Sequence, residues 1–255
     1  MITRLERLLI CMSLAMSAAI LSGCVTGGVT AAKESISHYK MGISRMQYGN
    51  DEAALYEFNL AIDKDQGNYE AHFAAGVIHY KQQNFDSAEK EFKKVLSLNS
   101  KYAEANNDLG LIYLQQSKYE DALKQFKTAV DNTLYTTRDM ALINTGLTYD
   151  AMGKHDLAAQ AFREALLVLP TSDSAMSNLA DQYFKMDKFD DAVMYYKKAL
   201  EINPDNAGVY YNLGMVYYKM GNNAEAKNSF SKVVELAPGT EMATTSEKYI
   251  NMLLK

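Results

Sequence analysis

Every 34 residues this chain repeats itself, and that period limits its fold more than any other feature. Six copies run over residues 35–68, 69–102, 103–136, 139–172, 173–206 and 207–240. Position 8 of the copies reads Gly42, Gly76, Gly110, Gly146, Ala180 and Gly214, and position 20 is alanine in all of them. Position 24 is Phe58, Phe92, Phe126, Phe162, Tyr196 and Phe230. The chain's three prolines, Pro170, Pro204 and Pro238, all stand at position 32. A unit this short cannot bury an apolar face alone, so neighbouring copies must stack. Small residues at 8 and 20 let two helices of one copy approach closely. The aromatic at 24 fills the space toward the next copy, and proline at 32 stops the second helix. Met152-Gly153-Lys154 and Met220-Gly221-Asn222-Asn223 supply the breaks between helices.

These marks resemble the tetratricopeptide repeat, in which two antiparallel helices form each unit. The resemblance implies an all-α fold, a right-handed superhelix of six helix-turn-helix repeats over 35–240. A C-terminal capping helix over 241–255 completes it.

Residues 1–23 are of another kind. Arg4 and Arg7 precede the apolar run LLICMSLAMSAAIL, whose last residue opens the sequence Leu21-Ser22-Gly23-Cys24. A charged start, a short apolar stretch and a small-residue cleavage site read as a signal peptide. The last four residues resemble the bacterial lipobox. That implies cleavage before Cys24 and acyl chains on it, including a thioether-linked diacylglycerol. Residues 24–34 then form a lipidated tether, short and flexible. Several acyl chains give firm anchoring at about 0.8 kcal/mol per buried methylene. The cysteines are Cys11, in the discarded segment, and Cys24, so the mature chain has no disulfide and depends on packing alone. Removal of 1–23 lowers Lys+Arg from 26 to 24 and Asp+Glu from 31 to 30, a formal charge of −6. Nothing basic clusters enough for nucleic acid. In lipoproteins of this kind an Asp after the lipidated Cys favours the inner membrane; Val25 stands here, which implies the outer membrane, facing the periplasm.

No G-x-S-x-G elbow, H-E-x-x-H or glycine-rich phosphate loop occurs, so no catalytic residue, cofactor or small-molecule substrate is expected. His38 and His72 share a position in adjacent repeats; without converging carboxylates or thiols they read as hydrogen-bonded side chains, with no metal site. The functional surface expected is the stripe formed by positions 2, 5, 9, 12 and 13 of each first helix, which in the resembled superhelix lines the concave groove. It holds Tyr39, Phe73, Tyr80, Asn107, Leu111, Phe184, Tyr211, Met215 and Tyr218, with Lys81, Lys185 and Lys219 at position 13. Aromatics edged by lysines suit an extended or helical peptide of some acidic character. Asn144, Asn178 and Asn212 at position 6 are candidates for holding a ligand backbone.

The period slips once. Between the third and fourth copies, in DNTLYTTRD, the marks stand 36 apart. Leu134 occupies position 32, and Leu134 and Tyr135 are expected to dock back on the array. Thr133, Leu134, Tyr135 and Arg138 are the candidate residues of this link. A lipobox, a CVT start to the mature chain, six repeats, and this D-x-T-L-Y segment followed by an Arg and Asn144-Thr145-Gly146-Leu147 resemble the type IV pilus biogenesis lipoproteins, the pilotins. Thr136 and Thr137 stand where that family more often has proline and an acidic residue. The resemblance implies a non-enzymatic adaptor that brings a secretin subunit or another pilus-assembly protein to the outer membrane and favours its multimerisation. The alternative is a general periplasmic adaptor lipoprotein that docks peptidoglycan enzymes or a protease.

Overall fold

The computed structural model describes residues 29–254, and the expected signal peptide and Cys24 lie outside them. The described residues form helices and turns and contain no strand. Two compact bodies divide between Leu109 and Gly110.

The N-terminal body holds α1 (residues 29–47), α2 (Asp51–Lys64), α3 (Tyr69–Lys81), α4 (Phe85–Leu98) and the start of α5 (Ala103–Gln115). The C-terminal body continues with α6 (Tyr119–Asp131), α7 (Arg138–Ala151), α8 (His155–Val168), α9 (Asp173–Lys185), α10 (Phe189–Ile202), α11 (Ala207–Lys219), α12 (Asn223–Leu236) and α13 (Glu241–Leu253). Each 34-residue copy is one helix pair, and α13 follows the last, as the periodicity predicts. One difference concerns the tether: helix α1 already covers 29–34, and Glu34 pairs with Lys64 of α2 at 2.6 Å.

The repeat marks do their work inside each pair. The position-24 ring is fully buried in all six repeats. A methyl added at Gly42, Gly110 or Gly146 would lie 2.5 Å from the ring of Phe58, Phe126 or Phe162 respectively. Glycine at 8 therefore makes the seat for the aromatic at 24. The same rings reach the following repeat: Phe58 clusters with Ala74, Ala75 and Ile78, and Phe162 with Ala175 and Leu179. Phe230 stacks on Tyr249 of α13 at 4.9 Å, closing the last repeat. In the fifth repeat the pair is Ala180 and Tyr196, whose hydroxyl donates to the Asp181 carboxylate.

Helix ends follow local chemistry. Asn68, Ser172 and Asn206 each cap a first helix, and Thr240 caps α13, by accepting the backbone N–H of the third residue on. Position 15 of every repeat turns the chain through positive φ, from 56° to 75°. Glycine supplies it at Gly49, Gly153 and Gly221, but Gln83, Ser117 and Asp187 adopt it at a steric cost.

Candidate partner-binding site

The predicted stripe lies on the first helix of each pair. In the N-terminal body Tyr39, Phe73 and Tyr80 are half-buried and Asn107 is buried. Tyr39 packs on Phe58 at 5.9 Å between ring centres, Phe73 on Phe92 at 5.6 Å, and Tyr80 on Phe85 at 5.7 Å. In the C-terminal body Leu111, Phe184, Tyr211, Met215 and Tyr218 are also half-buried. Phe184 rests on Phe189 at 5.9 Å, Tyr211 on Phe230 at 6.0 Å, and Tyr218 on Tyr249 at 5.2 Å. These side chains brace the helix pairs with one edge and present the other to solvent, so they are partly packing residues and partly surface.

The lysines differ from their expected role. Lys81 is held by Asp51 of the preceding repeat at 2.5 Å. Lys185 is held by Asp150 at 2.6 Å, and Asp150 also faces His155 at 3.2 Å. Two of the three cations thought to favour an acidic ligand are thus neutralised within the array; Lys219 alone makes no ion pair among the described residues. Carboxylates absent from the sequence-based site stand on the same face instead. Asp181, at position 9 of the fifth repeat, accepts from Tyr196 and, at 3.0 Å, from the Asn212 amide. Burial raises its carboxyl above the usual range despite those donors. Burial pushes Asp108, in the third repeat, up to about 6, and the nearby Glu104 adds to the shift.

The position-6 asparagines are spent internally: Asn178 donates to the Ser174 carbonyl and Asn212 to Asp181. His38 and His72 each meet a glutamate of their own repeat, Glu57 at 2.8 Å and Glu91 at 2.5 Å. The histidines are hydrogen-bonded as expected, but, against the expectation that no carboxylate converges on them, position 23 of the second helix brings a glutamate to each ring.

The link splits its two apolar residues. Tyr135 is buried, as expected of a residue that docks on the array, but Leu134 is 88% exposed. Asn132 accepts the Leu134 N–H through its side chain, the Tyr135 N–H bonds to the Asn132 carbonyl, and this tight turn throws Leu134 outward. Thr133 is exposed, and Arg138 ties the link down by donating from Nε to the Val130 carbonyl at 3.0 Å. Beside the link lies a cavity of about 570 Å³ between α6, α7 and α8 that no motif in the sequence marks, lined by Leu123, Val130, Leu142, Tyr149, Leu157 and Ala161 among others. Leu142 and Ala161 occupy the repeat positions that carry His and Glu in the first two repeats, and the small Ala161 leaves the space.

A tetratricopeptide-repeat family model matches overlapping segments 39–103, 73–135 and 107–177. A second covers 207–240, and a TPR-repeat model covers 180–221. No curated protein matches the chain by sequence. Among solved structures it is similar to PilF of Pseudomonas aeruginosa, with 23% identity and a TM-score of 0.74 over 86% of this chain and 99% of that one. It is also similar to PilW, described as a widely conserved type IV pilus biogenesis factor, with 21% identity and a TM-score of 0.76 over 83% of this chain and 97% of that one. YrrB, a TPR protein with an unusual peptide-binding site, matches at 19% identity and a TM-score of 0.58 over 75% of this chain and 97% of that one. At these identities the likeness is one of fold. With family matches over most of residues 39–240, on helix pairs locked by glycine at 8 and an aromatic at 24, the chain belongs to the tetratricopeptide-repeat family.

Proposed function

We propose that this chain is a non-enzymatic, lipid-anchored adaptor of type IV pilus biogenesis. Acyl chains on Cys24 would hold it at the outer membrane, facing the periplasm, while the repeats bind a secretin subunit or another pilus-assembly protein. Binding at the membrane raises the partner's local concentration and so favours its multimerisation. The observation that carries this reading is the likeness to PilF and PilW, which extends over 97% or more of each of those chains. The half-buried aromatic stripe supports it, because ring edges already fixed by packing lose little entropy when a partner covers them.

Deletion of the gene, followed by membrane fractionation, tests the proposal. The expected result is loss of heat-resistant secretin multimer from the outer membrane, restored by the wild-type chain and not by Cys24→Ala. Normal secretin assembly without the gene would overturn it and direct attention to cell-wall enzymes and proteases as partners.

A further inference from the structure

The first-helix face of the N-terminal body carries a chemistry of its own. Beyond Tyr39, Phe73 and Tyr80, the repeat boundaries add Tyr69 and Tyr102, and Tyr102 lies 5.0 Å from Phe73 and 5.5 Å from Tyr69 between ring centres. Three carboxylates stand among these rings: Glu70, Glu104 and Asp108. Asp108 accepts from the Asn107 amide at 3.1 Å, and Glu70 raises the neighbouring Tyr69 phenol. None of the three lies within 4 Å of a lysine, arginine or histidine nitrogen among the described residues. Lys81, the stripe's cation in this body, is already committed to Asp51.

The electrostatic consequence is visible in the phenols. Tyr39 is raised by burial and then by Glu70, Tyr80 by burial and then by Asp108, and Tyr102 by burial and then by Glu104, to about 12. Each of these rings sits in the negative field of a carboxylate. An acidic ligand would meet like charge here, which opposes binding. A guanidinium fits. Its flat face stacks on a tyrosine ring while its edge N–H groups reach a carboxylate, and it desolvates more easily than an ammonium.

We propose that the aromatic and acidic first-helix face of the N-terminal body receives an arginine-containing basic segment of the protein partner. This rests on the adaptor reading and reverses the ligand charge that the lysines alone suggested. Glu70 and Glu104, at position 2 of successive repeats, form the charged rim, and Tyr102 with Phe73 forms the stacking floor.

The test uses the full chain in detergent micelles at 150 mM salt and a fluorescent dodecapeptide of alternating Arg and Leu. Companion peptides carry Lys or Glu in place of Arg. Polarisation should show the Arg peptide bound, the Lys peptide several-fold weaker and the Glu peptide unbound. Glu70→Gln with Glu104→Gln should weaken the Arg peptide at least tenfold. Asp63→Asn with Glu120→Gln, which remove the same charge from exposed sites elsewhere, should change it less than twofold. Tyr102→Leu keeps apolar bulk but should erase the preference for Arg over Lys. Thermal melts followed by circular dichroism confirm that each variant is folded. Equal weakening by the two double variants, or equal binding of the Glu peptide, would overturn the proposal. The two readings fail separately: a charge-specific peptide site with normal secretin assembly removes the secretin, whereas lost secretin assembly without such a site removes this surface.

Discussion

Asp108 should be a residue whose charge destabilises the fold, and Asp108→Asn measures by how much. Burial raises its carboxyl from 3.8 to about 6, with the Asn107 amide offsetting part of the shift. A folded-state pKa above the unfolded one means that the native chain takes up the proton first. Ionisation is therefore penalised in full above pH 6, and the penalty fades as pH falls from 6 toward 3.8. At about 1.4 kcal/mol per unit, the ceiling is roughly 3 kcal/mol at pH 7.5, about 1.6 at pH 5 and about 0.5 at pH 4. Asparagine keeps the shape and still accepts from Asn107 without the charge. Urea denaturation of wild type and variant at these three pH values should show the variant more stable by up to roughly 3 kcal/mol at pH 7.5. The gap should be about halved at pH 5 and nearly closed at pH 4. Titration of every other group cancels in the difference. A variant less stable than wild type at pH 7.5, or a gap independent of pH, would refute the assignment of a desolvated, uncompensated carboxylate. On the ligand reading the same substitution also weakens the Arg peptide, so stability and binding should move in opposite directions.

Gly146→Ala places a methyl 2.5 Å from the Phe162 ring and should lower stability by about 1–3 kcal/mol in thermal or urea melts. Gln83→Gly relieves a side chain at φ 59° and should raise stability by about 0.5–1 kcal/mol, read from the urea midpoint. Tyr196→Phe removes a donor from the half-buried Asp181 carboxylate and should lower stability by about 1–3 kcal/mol. In the link, Tyr135→Ala should lower stability by about 2–4 kcal/mol, whereas the exposed Leu134→Ser should change it by less than about 0.5.

The helix pairs were legible because each mark has a local cause. Gly146 and Phe162 stand 16 positions apart in one repeat, and the period alone brings them together. The stripe was legible for the same reason, since helical spacing places Tyr39, Phe73 and Tyr80 on first-helix faces. Its charge was not. Lys81 meets Asp51 across 30 residues and Lys185 meets Asp150 across 35, and ion pairs set by the stacking of neighbouring repeats leave no mark in the spacing. Tyr69 and Tyr102 stand at positions 1 and 34, outside the five positions of the stripe, and join it through ring contacts with each other and with Phe73. Leu134 shows the limit of hydrophobicity as a guide: in a six-residue link the hydrogen bonds of Asn132, more than the greasiness of the side chain, decided which residue faced inward.

The two His–Glu pairs bear on how such an array can change over time. His38 with Glu57 and His72 with Glu91 each join the two helices of one repeat, 19 residues apart, and neither pair reaches into a neighbour. Duplication or loss of a whole 34-residue segment carries both partners together and leaves no buried ring without its acceptor. A genetic crossover between the helices of a repeat does the opposite. Joined to the second helix of the fourth repeat, His72 would face Ala161, and a buried imidazole would be left without its carboxylate at a cost of about 1–3 kcal/mol. The first two repeats therefore carry a built-in bias toward recombining at their boundaries, and engineered chimaeras of this chain should be cut there.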